Sequence, residues 1–267
     1  MRDVAPDTLV RVSVAEAGSL SFEGGPASVR LTYGSDGSTE ESASGVPVKA
    51  APDLVTAEWE VSGVPAMAMI EVVATRYCTL EEIVSYRSDE FQLDELYGAD
   101  SDEVWDARAR AEEVIERSCK RALQPVMRTG FVDRPNCSTR TMVMGPDGYD
   151  PDASRIVSAT GPGGSETPVG IVNRGPYVDV SAMPYGSAAE VVYVSGLRAI
   201  PPEARGAVVA LASWYLAPKQ SPENATSAST EVGVISYVVG GVNGAATSIP
   251  EVNALIERFG RKDPKVV

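Results

Sequence analysis

The spacing of apolar positions changes three times along the chain and divides it into four stretches. Over residues 8–14 (TLVRVSV) and 28–33 (SVRLTY) apolar and polar side chains alternate, and 54–61 (LVTAEWEV) and 66–73 (AMAMIEVV) continue as strand-like runs. Gly24-Gly25-Pro26 and the turn-rich residues 34–38 and 62–65 separate them. Short strands broken by glycine and proline predict an immunoglobulin-like β-sandwich over residues 1–76. Asp36-Gly37 is placed in a hairpin turn, and Trp59 between the sheets.

From Tyr77 the period becomes helical. Thr79 and Glu82 have capping-box spacing and open a helix over 79–87, with Leu80, Ile83 and Val84 on its buried side. An acidic connection leads to the strongest helical pattern in the chain, residues 101–124. There Asp100 with Glu103 is read as the cap and Pro125 as the stop. Val104, Ala107, Ala111, Val114, Ile115, Ser118, Cys119 and Ala122 recur as one stripe. The opposite face carries Asp106–Arg110, Glu113–Arg117 and Glu116–Lys120, acid first at i,i+4. Small residues in the stripe, Ala107, Ala111 and Ser118 beside Val114, let a second helix approach closely.

Residues 127–197 return to strands and predict an antiparallel meander inserted between helices. Pro201-Pro202 then opens a helix over 201–217, since proline suits a first turn. A last helix, 249–260, follows with Ser248 as cap and Val252, Leu255, Ile256 and Phe259 on its apolar face. Between these two helices lies an arm, 219–247, polar and glycine-rich. It contains one β-prone run with Val232, Val234, Ile235, Tyr237, Val238 and Val239. Such a run either adds to another chain's sheet edge or forms a hairpin within its own subunit; both stay open. The fold class is α+β, with a boundary near residue 76 and a second domain over 77–267.

Composition narrows the function. The chain has 267 residues, 43% hydrophobic, with 23 Lys+Arg against 37 Asp+Glu and a formal net charge of −14. That charge excludes nucleic-acid binding driven by phosphate neutralisation. Histidine is absent, which excludes a histidine triad or a zincin site. The three cysteines, Cys78, Cys119 and Cys137, are odd in number and widely spaced, as expected of free thiols in a reducing compartment. The N-terminus carries no apolar leader and no run approaches a membrane span, so a soluble protein made in the cytoplasm is expected. The sequons at Asn136 and Asn224 are therefore read as chance. The carboxylates at 147–152 lack calcium-loop spacing, and Gly161-Pro162-Gly163-Gly164 lacks the lysine of a phosphate loop; both are read as turns. Lys219, Arg258, Arg261 and Lys262 make a modest basic patch. No catalytic residue, cofactor site or metal site is expected.

The succession of these elements resembles a known family. In order come the Thr79-Leu80-Glu81-Glu82 helix, a long helix ending Cys119-Lys120-Arg121, strands ending Val192-Tyr193-Val194-Ser195-Gly196 and a Pro-Pro helix ending Trp214-Tyr215-Leu216. Ser229-Thr230-Glu231-Val232-Gly233 and residues 244–253 (GAATSIPEVN) follow. Over about 77–267 this is similar to the head-tail connector, or adaptor, proteins of tailed bacteriophages, and residues 58–63 (EWEVSG) resemble the β-sandwich that precedes this module in phages of actinobacteria. The resemblance implies a structural virion protein, not an enzyme. It implies a homo-oligomeric ring, usually dodecameric, in the neck under the portal protein, with DNA passing through its channel and a stopper or tail protein seated below. Ala107, Ala111, Val114 and Ser118 would then pack the ring. The portal would be met by Val232, Val234, Ile235, Tyr237, Val238 and Val239, with Leu255, Arg258, Phe259 and Arg261 as the anchor. The inserted meander is longer than in the smallest connectors. Two other classes remain: a cell-surface or secreted adhesion module built on the β-sandwich, against which the missing signal and the free thiols argue, and a hydrolase using carboxylates alone, which no paired-carboxylate motif supports.

Overall fold

Strands too short to show a period begin the chain. The structure, a computed structural model, describes residues 2–87, 92–135, 138–146, 148–161, 163–172, 177–217, 227–230, 233–236, 247 and 249–261. First come β1 (Arg2–Val4), β2 (Leu9–Ser13), the single turn α1 (Val14–Ala17) and β3 (Leu20–Phe22). Then follow β4 (Val29–Tyr33), β5 (Thr39–Ser42), β6 (Asp53–Val61) and β7 (Val64–Val73). β1 and β3 form a parallel pair, while the rest form a five-stranded sheet in the order β2-β7-β6-β4-β5, parallel only between β2 and β7. The β6–β7 hairpin turns on Ser62 (φ 55°) and Gly63 (φ 80°), the two positive-φ residues that match the strand twist. Trp59 of β6 packs on Phe22 of β3 with ring centroids 5.3 Å apart, and its indole N–H donates to the Glu23 carbonyl at 3.0 Å. Gly37 (φ 67°) sits in the β4–β5 turn beside Asp36.

The chain divides into two compact units, Met1–Arg76 with Gln124–Ala199, and Tyr77–Leu123 with Ile200–Val267. This differs from the expected 1–76 and 77–267, because the strands inserted between the helices belong with the N-terminal ones. Nor do those strands form one meander. β8 (Val126–Asp133), β9 (Arg140–Met142), β10 (Met144–Gly145), β11 (Gly148–Tyr149), β12 (Arg155–Thr160), β13 (Gly170–Ile171), β14 (Tyr177–Asp179) and β15 (Ala188–Ser195) make two antiparallel sheets. The first has the order β11-β10-β8-β15-β12 and the second β13-β14-β9. Val132, Val143, Val178, Val180, Val191 and Tyr193 form their common core. Gly130 of β8 is required there, since a Cβ would lie 2.6 Å from the Met144 carbonyl oxygen and 3.0 Å from the Tyr193 ring. Asp150, buried, receives the Ser195 hydroxyl at 2.6 Å and the Tyr193 hydroxyl at 3.2 Å, and so serves as an internal tie.

The second unit is helical: α2 (Leu80–Val84), α3 (Leu93–Leu96), α4 (Asp102–Cys119), α5 (Pro202–Leu216) and α6 (Pro250–Phe259), with the strands β16 (Ser227–Thr230) and β17 (Gly233–Ser236). Thr79 caps α2 as its spacing predicts: the Glu82 amide donates to its hydroxyl at 3.3 Å and its own amide donates to the Glu82 carboxylate at 2.9 Å. α4 is shorter than expected. Ser101, not Asp100, is its N-cap, and it stops before Pro125 because Lys120 turns left-handed (φ 55°) and the Arg121 amide returns to the Glu116 carbonyl at 3.1 Å. Seven consecutive residues of α5, 207–213, are buried, so two turns of it are enclosed on every side. α2, α4 and α6 all pack on it, which makes α5, rather than the more strongly patterned α4, the axis of this unit. Ile249, not Ser248, is the N-cap of α6, and the start of that helix is held by Thr247, whose amide donates to the Asn253 side-chain oxygen at 2.9 Å.

Candidate interaction surfaces

The stripe on α4 divides under the packing of its neighbours. Ala107 and Ala111 are buried, with Ala111 fully so, while Val114 and Ser118 are only half-buried at its margin. Their expected places in the core are taken by Arg108, Glu112 and Glu116. Arg108 is accommodated by donating to the Cys78 carbonyl at 3.2 Å and by stacking its guanidinium 4.5 Å from the Trp105 ring centre. Glu116, buried rather than on the solvent face, receives the Tyr77 hydroxyl. Glu113 and Arg117 do pair on the solvent face.

The proposed anchor is largely engaged inside its own unit. Leu255 is 2% exposed, buried with Val252 where α6 meets α4 and α5, so its side chain is not free to fill a partner's pocket. Arg258 pairs with Glu203 at the start of α5, and on the same turn Arg205 pairs with Glu82 of α2. Phe259 is half-buried under the Arg258 guanidinium at 5.2 Å. The Arg261 amide donates to the Cys119 carbonyl at 2.9 Å, closing the end of α6 onto the end of α4. In the arm, β17 pairs antiparallel with β16 as a hairpin, Ile235 opposite Ala228 and Val234 opposite Ser229. Among the described residues this hairpin has no third strand. Val232, Tyr237, Val238, Val239, Lys219, Ser248, Lys262 and Cys137 lie outside the described residues.

Two exposed clusters were not singled out by the sequence. On α5 Trp214 is 44% exposed and meets Tyr215 edge-on at 5.6 Å, while the guanidinium of Arg110 on α4 lies 4.4 Å over the Tyr215 ring. Burial pushes the Tyr215 hydroxyl above its usual range, and the charge and hydrogen bond of Arg110 act in the opposite direction. On the β11-β10-β8-β15-β12 sheet Phe131, Met144 and Tyr149 stand side by side on three neighbouring strands. The signal for the latter was present in the alternation of β8, which sends Phe131 away from Val132.

For catalysis the described residues offer little. A cleft of about 430 Å³ on the N-terminal five-stranded sheet is lined by Asp7, Arg30, Glu58, Glu60 and Met67 among others. No group of three or more Cys, Asp or Glu among the described residues is placed to hold a metal ion. Cys78 and Cys119 are free and buried. No helix among the described residues is long and apolar enough to cross a membrane. No family model matches the chain, and no curated protein matches it significantly.

Proposed function

We propose that the chain is a structural neck protein of a tailed-phage virion, a head-tail adaptor that assembles as a ring beneath the portal. The observation that carries this reading is the helical unit: a long helix, a proline-led central helix, a hairpin arm and a proline-led terminal helix, in the order that the resemblance requires. β1–β7 are read as its immunoglobulin-like sandwich, supported by the packing of Phe22 on Trp59 across two sheets. The net charge of −14 suits a channel through which DNA slides without adhering. With Leu255 and Arg258 occupied internally, docking to the portal falls to the arm. A hairpin has two outer edges, and either can add to a sheet of the portal.

The test is co-sedimentation of the full chain with its portal ring, wild type against Ile235→Pro. Proline removes one ladder N–H and is expected to abolish or weaken co-sedimentation. Equal binding of both proteins removes the arm from the interface, and a wild type that neither binds the portal nor forms a ring with a central hole in negative stain overturns the reading as a whole.

A further inference from the structure

The solvent face of the β11-β10-β8-β15-β12 sheet carries a row of large side chains that none of the described residues covers. Tyr149, Met144 and Phe131 are successive cross-strand partners on β11, β10 and β8, and they are 57%, 43% and 57% exposed. Glu190 of β15 continues the row on the other side of Phe131, and exposed Asp133 follows two residues along β8 on the same face. Strand alternation enforces this arrangement, because Gly130 and Val132 occupy the buried face. Three adjoining side chains of this size, with carboxylates at the border, have the make-up of an interface centre with an acidic rim.

The other exposed cluster has the complementary make-up. Trp214, Tyr215 and Arg110 form one stacked group that is aromatic and basic, and these are the three residue types most enriched where interfaces derive their affinity. Neither surface suits a copy of itself. A two-fold contact of the sheet row would bring Glu190 and Asp133 against their own counterparts, and one of the helical cluster would oppose two Arg110 side chains. Joined to each other, the two surfaces bring apolar area against apolar area and opposite charges together.

We propose that the Tyr149–Met144–Phe131 row of one subunit receives the Trp214–Tyr215–Arg110 cluster of the next copy, as a heterologous contact between neighbours. Contacts of this kind repeat from subunit to subunit and give a ring where the rotation between neighbours closes. The proposal rests on the ring reading above and names the surfaces that would build the ring.

The test uses two full-length variants, each losing one surface: Phe131→Lys with Met144→Lys, and Trp214→Ala with Arg110→Glu. Mass is read by sedimentation velocity and shape by negative stain. The wild type forms rings. Each variant alone stays monomeric, and an equimolar mixture yields a heterodimer and nothing larger, since only one intact pair of surfaces remains. Rings from either variant overturn the contact while leaving the ring reading in place. A wild type that stays monomeric, alone and with the portal, overturns both. If a variant loses its circular-dichroism signal, the milder pair replaces it: Glu190→Arg or Arg110→Glu alone weakens assembly about tenfold or more, and both in one chain restore it. Absence of restoration overturns the contact.

Discussion

The hydroxyl of Tyr77 donates to the buried carboxylate of Glu116 and accepts the amide N–H of Leu123 at 3.1 Å. One phenol thus ties the residue that begins the helical unit to α4 and to the segment where the chain leaves that unit. Tyr77→Phe removes both interactions without changing the ring volume. Loss of a buried hydrogen bond to a charged group costs about 1–3 kcal/mol. The expected outcome is a lower urea midpoint with an unchanged slope; an unchanged midpoint contradicts the assigned role.

Ala111 is fully buried on α4, and Val114, one turn along, is half-buried. Overpacking a close helix contact costs roughly 1–3 kcal/mol or more. Ala111→Trp is therefore expected to lower the thermal midpoint by several degrees, and Val114→Trp to lower it far less. Equal effects would show that the buried face of α4 has been misplaced.

Two glycines give opposite signs. At Gly130 an added Cβ meets the Met144 carbonyl oxygen at 2.6 Å, so Gly130→Ala forces apart β8 and β10, at a cost of about 1–3 kcal/mol. At Gly206, within α5 and exposed, a Cβ meets nothing within 4 Å. Gly206→Ala is expected to stabilise by about 0.5–1 kcal/mol, because alanine loses less backbone freedom on entering a helix. Urea denaturation of the two variants, side by side, checks the pair.

Stability is expected to fall on the alkaline side. Burial, with Glu116 adding to it, pushes the Cys119 thiol up from 9.0 to about 11. Burial, followed by the charge of Glu40, pushes the Tyr33 hydroxyl up from 10.0 to about 12. Both folded values lie above the unfolded ones, so the unfolded chain releases these protons first. Their contribution is complete below about pH 9 and is lost as pH rises through about 11 and about 12. In urea melts across this range, Cys119→Ala should flatten the decline between pH 9 and 11 and Tyr33→Phe that between 10 and 12. A wild-type midpoint that stays level to pH 12 contradicts both.

Local features of the fold were legible from the sequence. The alternation of β6 and β7, the Thr79–Glu82 box and the proline-led α5 and α6 need only neighbours within a few residues. Burial of Arg108 and Glu116 was not legible, because what satisfies them, the Cys78 carbonyl and the Tyr77 hydroxyl, is 30 and 39 residues away. The same holds for β8, whose register is set by pairing Val126 with Ser195 rather than with any adjacent strand. The end of α4 was misplaced because a lysine, not a glycine, takes the left-handed position. For the interaction surfaces, spacing marked Leu255 and Phe259 as an apolar face but could not show that α4 and α5 already cover Leu255. Alternation along β8 turned Phe131 outward but could not show that Met144 and Tyr149 would join it, since that depends on which strands pair.

The division after Arg76, Leu123 and Ala199 has a consequence for synthesis. Neither unit is encoded by a continuous stretch of message. When residue 123 leaves the ribosome, each unit is present only in part and neither core can close. The first becomes complete only with β15, and the second must wait for α6, which brings Val252 and Leu255. When α5 is made, α2 and α4 are already present to cover it, and only the face met by α6 is still waiting. The β unit can thus close before the helical one, and a chain terminated ahead of α6 leaves α4 and α5 without the helix that packs on both.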